Sequence, residues 1–185
     1  MSPGRLIDRP GNTGGGQTEL IPAMETLIEW LPDHVPAGDG RVVLVHKDFR
    51  LNNLIIYLDK PRIIGRIDWE LSTLGHPFVD FAYSVTMVRL PRATFHRGLA
   101  GVQRASLGIP EDRELIARFC RLSHLRTPPD WGFSVAFHGF RFAAILQGVL
   151  KRHLDGNASN PHAWEAGAMV KPVAELARAA LESRQ

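Results

Sequence analysis

The chain changes texture at Pro77, and that change constrains its fold more than any other feature. Before it, the runs RVVLV at 41–45, NLIIYL at 53–58 and RIIGRI at 62–67 are short, rich in β-branched residues and separated by polar turns. Branched side chains are stiff in a helix and pack well on a pleated surface, so the middle of the chain reads as a small sheet of short strands. Leu58-Asp59-Lys60-Pro61 makes the second gap a hairpin turn. After Pro77 the apolar residues recur at helical spacing, which predicts helices over 78–90, 94–107, 111–124, 130–153 and 161–183. Pro91, Gly108-Ile109-Pro110, Pro128-Pro129 and Asn160-Pro161 supply the breaks, because proline removes a helical donor and crowds the preceding turn. Ahead of the strands, Ile21, Met24, Leu27, Ile28 and Leu31 predict an amphipathic helix over 19–31, with Pro22 in its first turn and Pro32 as its stop. The stretch from Trp131 to Leu154 is the expected central helix, with Phe133, Phe137, Phe140, Ala144 and Leu150 among its buried candidates.

Residues 1–18, rich in Gly and Pro and without apolar periodicity, read as a flexible lead-in, which leaves 19–185 as the folded unit. With 44% hydrophobic and 22% charged residues the composition is that of a globular protein. The net charge of +3 comes from dispersed Lys and Arg, so nucleic acid is not an expected partner. No apolar run approaches the roughly 20 residues of a membrane helix and the start lacks a signal-like stretch, so no membrane is expected and the expected location is cytoplasmic. Cys120, the single cysteine, falls in an apolar helical pattern and reads as a core residue.

Between the first two strands lies His46-Lys47-Asp48-Phe49-Arg50-Leu51-Asn52-Asn53, and the third strand ends in Ile67-Asp68-Trp69-Glu70. The order is strand, H-x-D-x-x-x-x-N loop, hairpin, then Asp. Phosphoryl transfer needs a carboxylate to accept the proton of the attacking hydroxyl, and hard oxygen ligands to hold Mg²⁺ against a polyphosphate. Two carboxylates and an amide oxygen suit both needs. Asp and Asn alone are ordinary turn residues; the five-residue offset within this strand context is what points to chemistry.

The run from Leu44 to Asn53, with Ile67-Asp68-Trp69-Glu70-Leu71-Ser72-Thr73-Leu74-Gly75-His76-Pro77-Phe78-Val79-Asp80-Phe81-Ala82-Tyr83, resembles the aminoglycoside phosphotransferase family. It is most like the branch fused to or encoded beside acyl-CoA dehydrogenases, as are Phe140 to Val149 and Gly156-Asn157-Ala158. The resemblance implies an α+β, mainly α fold, the carboxy-terminal lobe of a protein-kinase-like fold, with a small antiparallel β-hairpin layer carrying the site. It implies an ATP- and Mg²⁺-dependent transfer of the γ-phosphate to a small-molecule hydroxyl. Asp48 matches the catalytic base, Asn53 and Asp68 the Mg²⁺ ligands, Asp80 a buried Asp that braces the catalytic loop, and His46 a structural loop histidine. Lys47 and Arg50 are candidate phosphate contacts, Lys47 with solvent exposure as its other reading. The branch hints at a hydroxylated acyl acceptor.

Two features depart from that family. Its members usually carry Gly where this chain has Lys47, although protein kinases place Arg there. A smaller amino-terminal lobe normally brings a glycine-containing loop and a strand lysine that hold ATP, yet Lys47 is the first lysine here. Gly14-Gly15-Gly16 follows no strand and opens no helix, so it reads as linker. The expectation is a carboxy-terminal lobe whose nucleotide-binding lobe is absent or separately encoded. The alternative is a truncated, non-catalytic remnant or binding module. Trp69 reads as core rather than cleft lining, and Arg141 as a member of an ion pair rather than a substrate contact.

Overall fold

The computed structural model describes residues 20–92, 98–128, 130–157 and 163–182. The lead-in over 1–18, with Gly14-Gly15-Gly16, lies outside them.

The first helix, α1 (Pro22–Trp30), opens on a proline whose missing N–H is no loss in a first turn, and Ile21 O collects the N–H groups of Met24 and Glu25. Across Pro32 the chain tightens into a 3-10 turn, Leu31–His34. The strands β1 (Val43–Val45), β2 (Leu54–Ile56) and β3 (Ile63–Arg66) occupy the three β-branched runs in shortened form. A fourth, β4 (Thr73–Gly75), has no counterpart among them. Instead of one small sheet there are two antiparallel pairs: β1 with β4, in register Leu44 to Leu74, and β2 with β3, in register Leu54 to Arg66.

The rest is helical: α2 (Phe78–Arg89), α3 (Asp112–Leu122), α4 (Trp131–Leu154) and α5 (Ala163–Ala180). The helix expected over 94–107 is not formed in its described part, where only Arg104–Leu107 makes a 3-10 turn. Here Pro91 and Ala100 form an isolated bridge, and a Cβ on Gly98 would stand 2.0 Å from Leu90 O. That backbone approach excludes any side chain and overrides the helical spacing. Asp130 starts α4 by accepting the Phe133 N–H at 2.9 Å.

The core sits where α4, α5, α2 and α1 meet, around Leu27, Val85, Val135, Ala136, Val173 and Ala177. On α4 the buried face is Val135, Ala136, Gly139, Phe142, Ala143 and Leu146. Phe137 and Ala144 are exposed, and Phe133, Phe140 and Leu150 are half-buried. The expected stripe was rotated because the small residues, not the aromatics, face α5. A Cβ on Gly139 would lie 2.6 Å from Ala177 Cβ, so glycine sets how closely the two helices approach. Helix α4, 24 residues long, contains an 18-residue stretch of mean hydropathy 1.4 and so does meet the length and composition of a membrane span, contrary to the sequence expectation. It packs here as the core helix.

Candidate active site

Helix α2 follows β4 through His76-Pro77 and aligns Asp80, Tyr83 and Ser84 on one face, as residues three and four apart must. All three reach the loop between β1 and β2. Asp80 Oδ2 accepts the His46 N–H and Asp80 Oδ1 accepts the Lys47 N–H, each at 2.7 Å. Ser84 Oγ donates to Phe49 O at 2.9 Å, and the Tyr83 hydroxyl donates to Asp48 Oδ1 at 2.6 Å. One helical turn therefore fixes the backbone of 46–49 and one oxygen of Asp48.

The braced loop is strained. Lys47 has φ 67° and Asp68 has φ 66°, in the left-handed region where an L-residue pays about 1–2 kcal/mol and glycine does not. This geometry gives a physical reason for the Gly that resembling sequences carry at the Lys47 position. Among the described residues the Lys47 ammonium makes no hydrogen bond or ion pair.

Asn53 is buried at 6% exposure, and its Nδ2 donates to both Asp48 O and Asp48 Oδ2 at 2.9 Å. Both amide hydrogens are thus spent on Asp48, which leaves the amide oxygen as acceptor for a cation. Asn53 O accepts the Ile67 N–H at 3.0 Å, joining the start of β2 to the end of β3 beside Asp68. Asp68 is exposed and has no partner among the described residues. The amide oxygen of Asn53 and the carboxylate of Asp68 are the hard oxygen donors that a cation such as Mg²⁺ takes, although no cluster of three or more His, Cys, Asp or Glu stands at metal-holding distance among the described residues. A divalent ion here would take Asn53 and Asp68 from the chain and its other oxygens from phosphate and water, as Mg²⁺ does.

His46 is buried, and its Nε2–H donates to Ile67 O at 2.8 Å, an assignment forced by a carbonyl that can only accept. Its ring lies 4.7 Å from that of half-buried Trp69, over which the Arg66 guanidinium stands at 5.0 Å. Arg50 Nε lies 3.2 Å from Asp48 Oδ2 without its N–H aimed to donate, so this cation is engaged with the Asp48 carboxylate rather than free.

Behind Asp48, Tyr83 is buried against the edge of His138, with ring centres 4.8 Å apart. Burial, and then the Asp48 carboxylate, push the Tyr83 hydroxyl above its ordinary range, which keeps it a donor. Burial, and then Arg141, lower His138 to about 3, which keeps it neutral. Cys120 is buried and its thiol is pushed up by desolvation, a packing residue rather than a nucleophile.

A cavity of about 530 Å³ opens between residues 35–39, α2 and α4, walled by Phe78, Val79, Phe133 and Phe137 and bearing His138 and Arg141. None of Asp48, Asn53 or Asp68 lines it. Arg141 makes no ion pair among the described residues, contrary to its sequence reading. The structure thus brings Asp48, Asn53, Asp80, His46 and Arg50 together, and Asp68 follows Ile67, whose N–H is bonded to Asn53 O. Sequence reasoning missed Tyr83 and Ser84, which their spacing of three and four from Asp80 could have revealed.

Comparison with known proteins places this geometry in a family. Residues 10–129 match the model of the phosphotransferase enzyme family. The chain is 46% identical over 162 residues to acyl-CoA dehydrogenase family member 10 of Mus musculus, covering 87% of this chain and 15% of that protein. It is 39% identical over 156 residues to acyl-CoA dehydrogenase family member 11 of Homo sapiens, covering 84% of this chain and 20% of that protein. It also superposes, with a TM-score of 0.85 and 40% identity, on a crystal structure from Ralstonia eutropha provisionally described as an aminoglycoside phosphotransferase. That match covers 91% of this chain and 51% of the other, so the chain spans about half of that structure and a fifth or less of the two dehydrogenase-named proteins. The architecture is the kinase-like one of these phosphotransferases, mainly helical with small antiparallel strand pairs. The chain belongs to the phosphotransferase enzyme family.

Proposed function

We propose that this chain is the carboxy-terminal, catalytic lobe of a kinase-like enzyme that moves the γ-phosphate of ATP to a small-molecule hydroxyl. The observation that carries the reading is the Asp48 carboxylate held by Asn53 and Tyr83, with Asp68, unpartnered among the described residues, next in the chain to the Ile67 that bonds Asn53 O. In this reading Asp48 accepts the proton of the acceptor hydroxyl as its oxygen bonds to the γ-phosphorus. The bond from that phosphorus to the bridging oxygen breaks, and its electron pair leaves with ADP. Asn53 and Asp68 would hold Mg²⁺, which neutralises charge on the phosphates when bound. Arg50 swings from Asp48 to phosphate, and Lys47, whose ammonium has no partner among the described residues, is a second phosphate contact. Asp80 and His46 hold the loop.

For the acceptor we favour a hydroxylated acyl compound. The dehydrogenase names of the relatives motivate it, and the cavity offers apolar walls with Arg141, unpaired among the described residues, for an anionic group. Calorimetric titration of Mg²⁺ and ATP into the chain, alone and with a supplied amino-terminal lobe, tests the reading. Binding should weaken at least tenfold in Asp68→Ala; equal affinity in the two proteins removes Asp68 from the role.

A further inference from the structure

Tyr83 carries a buried hydroxyl that has no part in the proposed phosphotransfer. We propose that Tyr83 is a positioning residue that holds the Asp48 carboxylate in its working orientation, an inference that rests on the proposed phosphotransfer role of Asp48. The hydroxyl donates to Asp48 Oδ1 at 2.6 Å, the length of a charge-assisted O–H···O⁻ bond, while Asn53 Nδ2 donates to Oδ2 at 2.9 Å. Two donors on opposite oxygens fix the plane of a carboxylate; either one alone leaves it free to rotate about the other. Asn53 has a second task at the cation, so the hydroxyl is the donor with no competing use.

Tyr83 is itself hard to displace. It is 5% exposed, it stands on the helical face that carries Asp80 and Ser84, and the edges of its ring meet His138 and Phe142. The charged or titratable groups that face it are Asp48 and Arg50 from the loop, and His138 and Arg141 from α4. His138 is neutral at physiological pH, so Asp48 is the only negative charge among them. A phenol is suited to the task because it donates to the carboxylate without surrendering its own proton near neutrality, its ordinary value being roughly 10. Misplacement of a reacting group by about 1 Å can cost on the order of a hundredfold in rate, which sets the scale of what this bond protects.

Two tyrosines are present, so a Tyr57→Phe chain reports Tyr83 alone by tyrosinate absorbance. Tyr83 should stay protonated past the ordinary value of roughly 10, and should ionise at lower pH when Asp48→Asn is added. The same midpoint in both proteins overturns the coupling and with it the inference. In the chain supplied with an amino-terminal lobe, Tyr83→Phe should lower kcat by roughly ten- to a hundredfold and leave the KM for ATP unchanged. Unchanged kcat, or a loss matched by a rise in KM, overturns positioning. If the parent protein transfers no phosphate while the tyrosinate coupling is intact, the functional reading of Asp48 falls and the contact that holds its carboxylate stands.

Discussion

In the α4–α5 pair, Val135, Ala136, Ala143, Val173, Ala174 and Ala177 are wholly buried, and Gly139 lets the helices touch backbone to side chain. In the β2–β3 pair, Ile55, Ile56, Ile63 and Ile64 are all at least 45% exposed. The helical body is therefore held by apolar burial, while the strand and loop layer that carries the site is held by a few polar bonds from α2. Asp80 supplies two of them and Tyr83 and Ser84 one each, and His46 ties the loop to the end of β3. The lesson is a division of labour: the body can lose stability without the site losing its shape, and the site can lose its shape while the body stays folded.

The largest effect should come from the body. Trp131→Ala empties a buried site against Phe78 and Phe81 and should cost about 3–5 kcal/mol by denaturant unfolding. A cost below about 1 kcal/mol would break the comparison. Asp80→Ala, in the layer, leaves the His46 and Lys47 N–H groups without acceptors and should cost about 2 kcal/mol. Hydrogen exchange should quicken in 46–53 while α4 and α5 keep their protection; equal loss everywhere would contradict the division.

Acid probes the seam between the two regions. His138 titrates at about 3 in the fold against 6.5 ordinarily, so the unfolded chain binds the extra proton below pH 6.5. Its contribution is complete above that pH and is lost as pH falls toward about 3, by roughly 1 kcal/mol per unit. His138→Leu should flatten this part of the pH–stability curve, and an unchanged slope would exclude His138 as its source. The smallest effect is expected at Lys47→Gly, which relieves the left-handed backbone and should change stability by about 1 kcal/mol or less, toward greater stability.

Much of this was legible from residue order. The strands and most helices follow side-chain type and period, and the loop motif stands out because Asp48 and Asn53 are local in sequence. What was hidden depends on contacts distant in the chain. β4 is three residues long and exists because it pairs with β1 some thirty residues earlier, so no local period marks it. The turn around Gly98 exists because the backbone of Leu90 lies against it. Tyr83 looks like one more core aromatic until α2 is seen to lie across the loop. The positive φ of Lys47 was invisible because lysine gives no hint of it, and only the resemblance to sequences with Gly there carried the signal.

In the proposed reaction Asp48 is the base of a phosphoryl-transfer site. The most direct measurement is transfer of labelled γ-phosphate from ATP to a hydroxyacyl acceptor by the chain with a supplied amino-terminal lobe, comparing Asp48→Asn with the parent. Asp48→Asn should lose a hundredfold or more in kcat, within the roughly 10²–10⁴ that a positioned general base contributes, with ATP affinity retained. Equal transfer by the two proteins would contradict it.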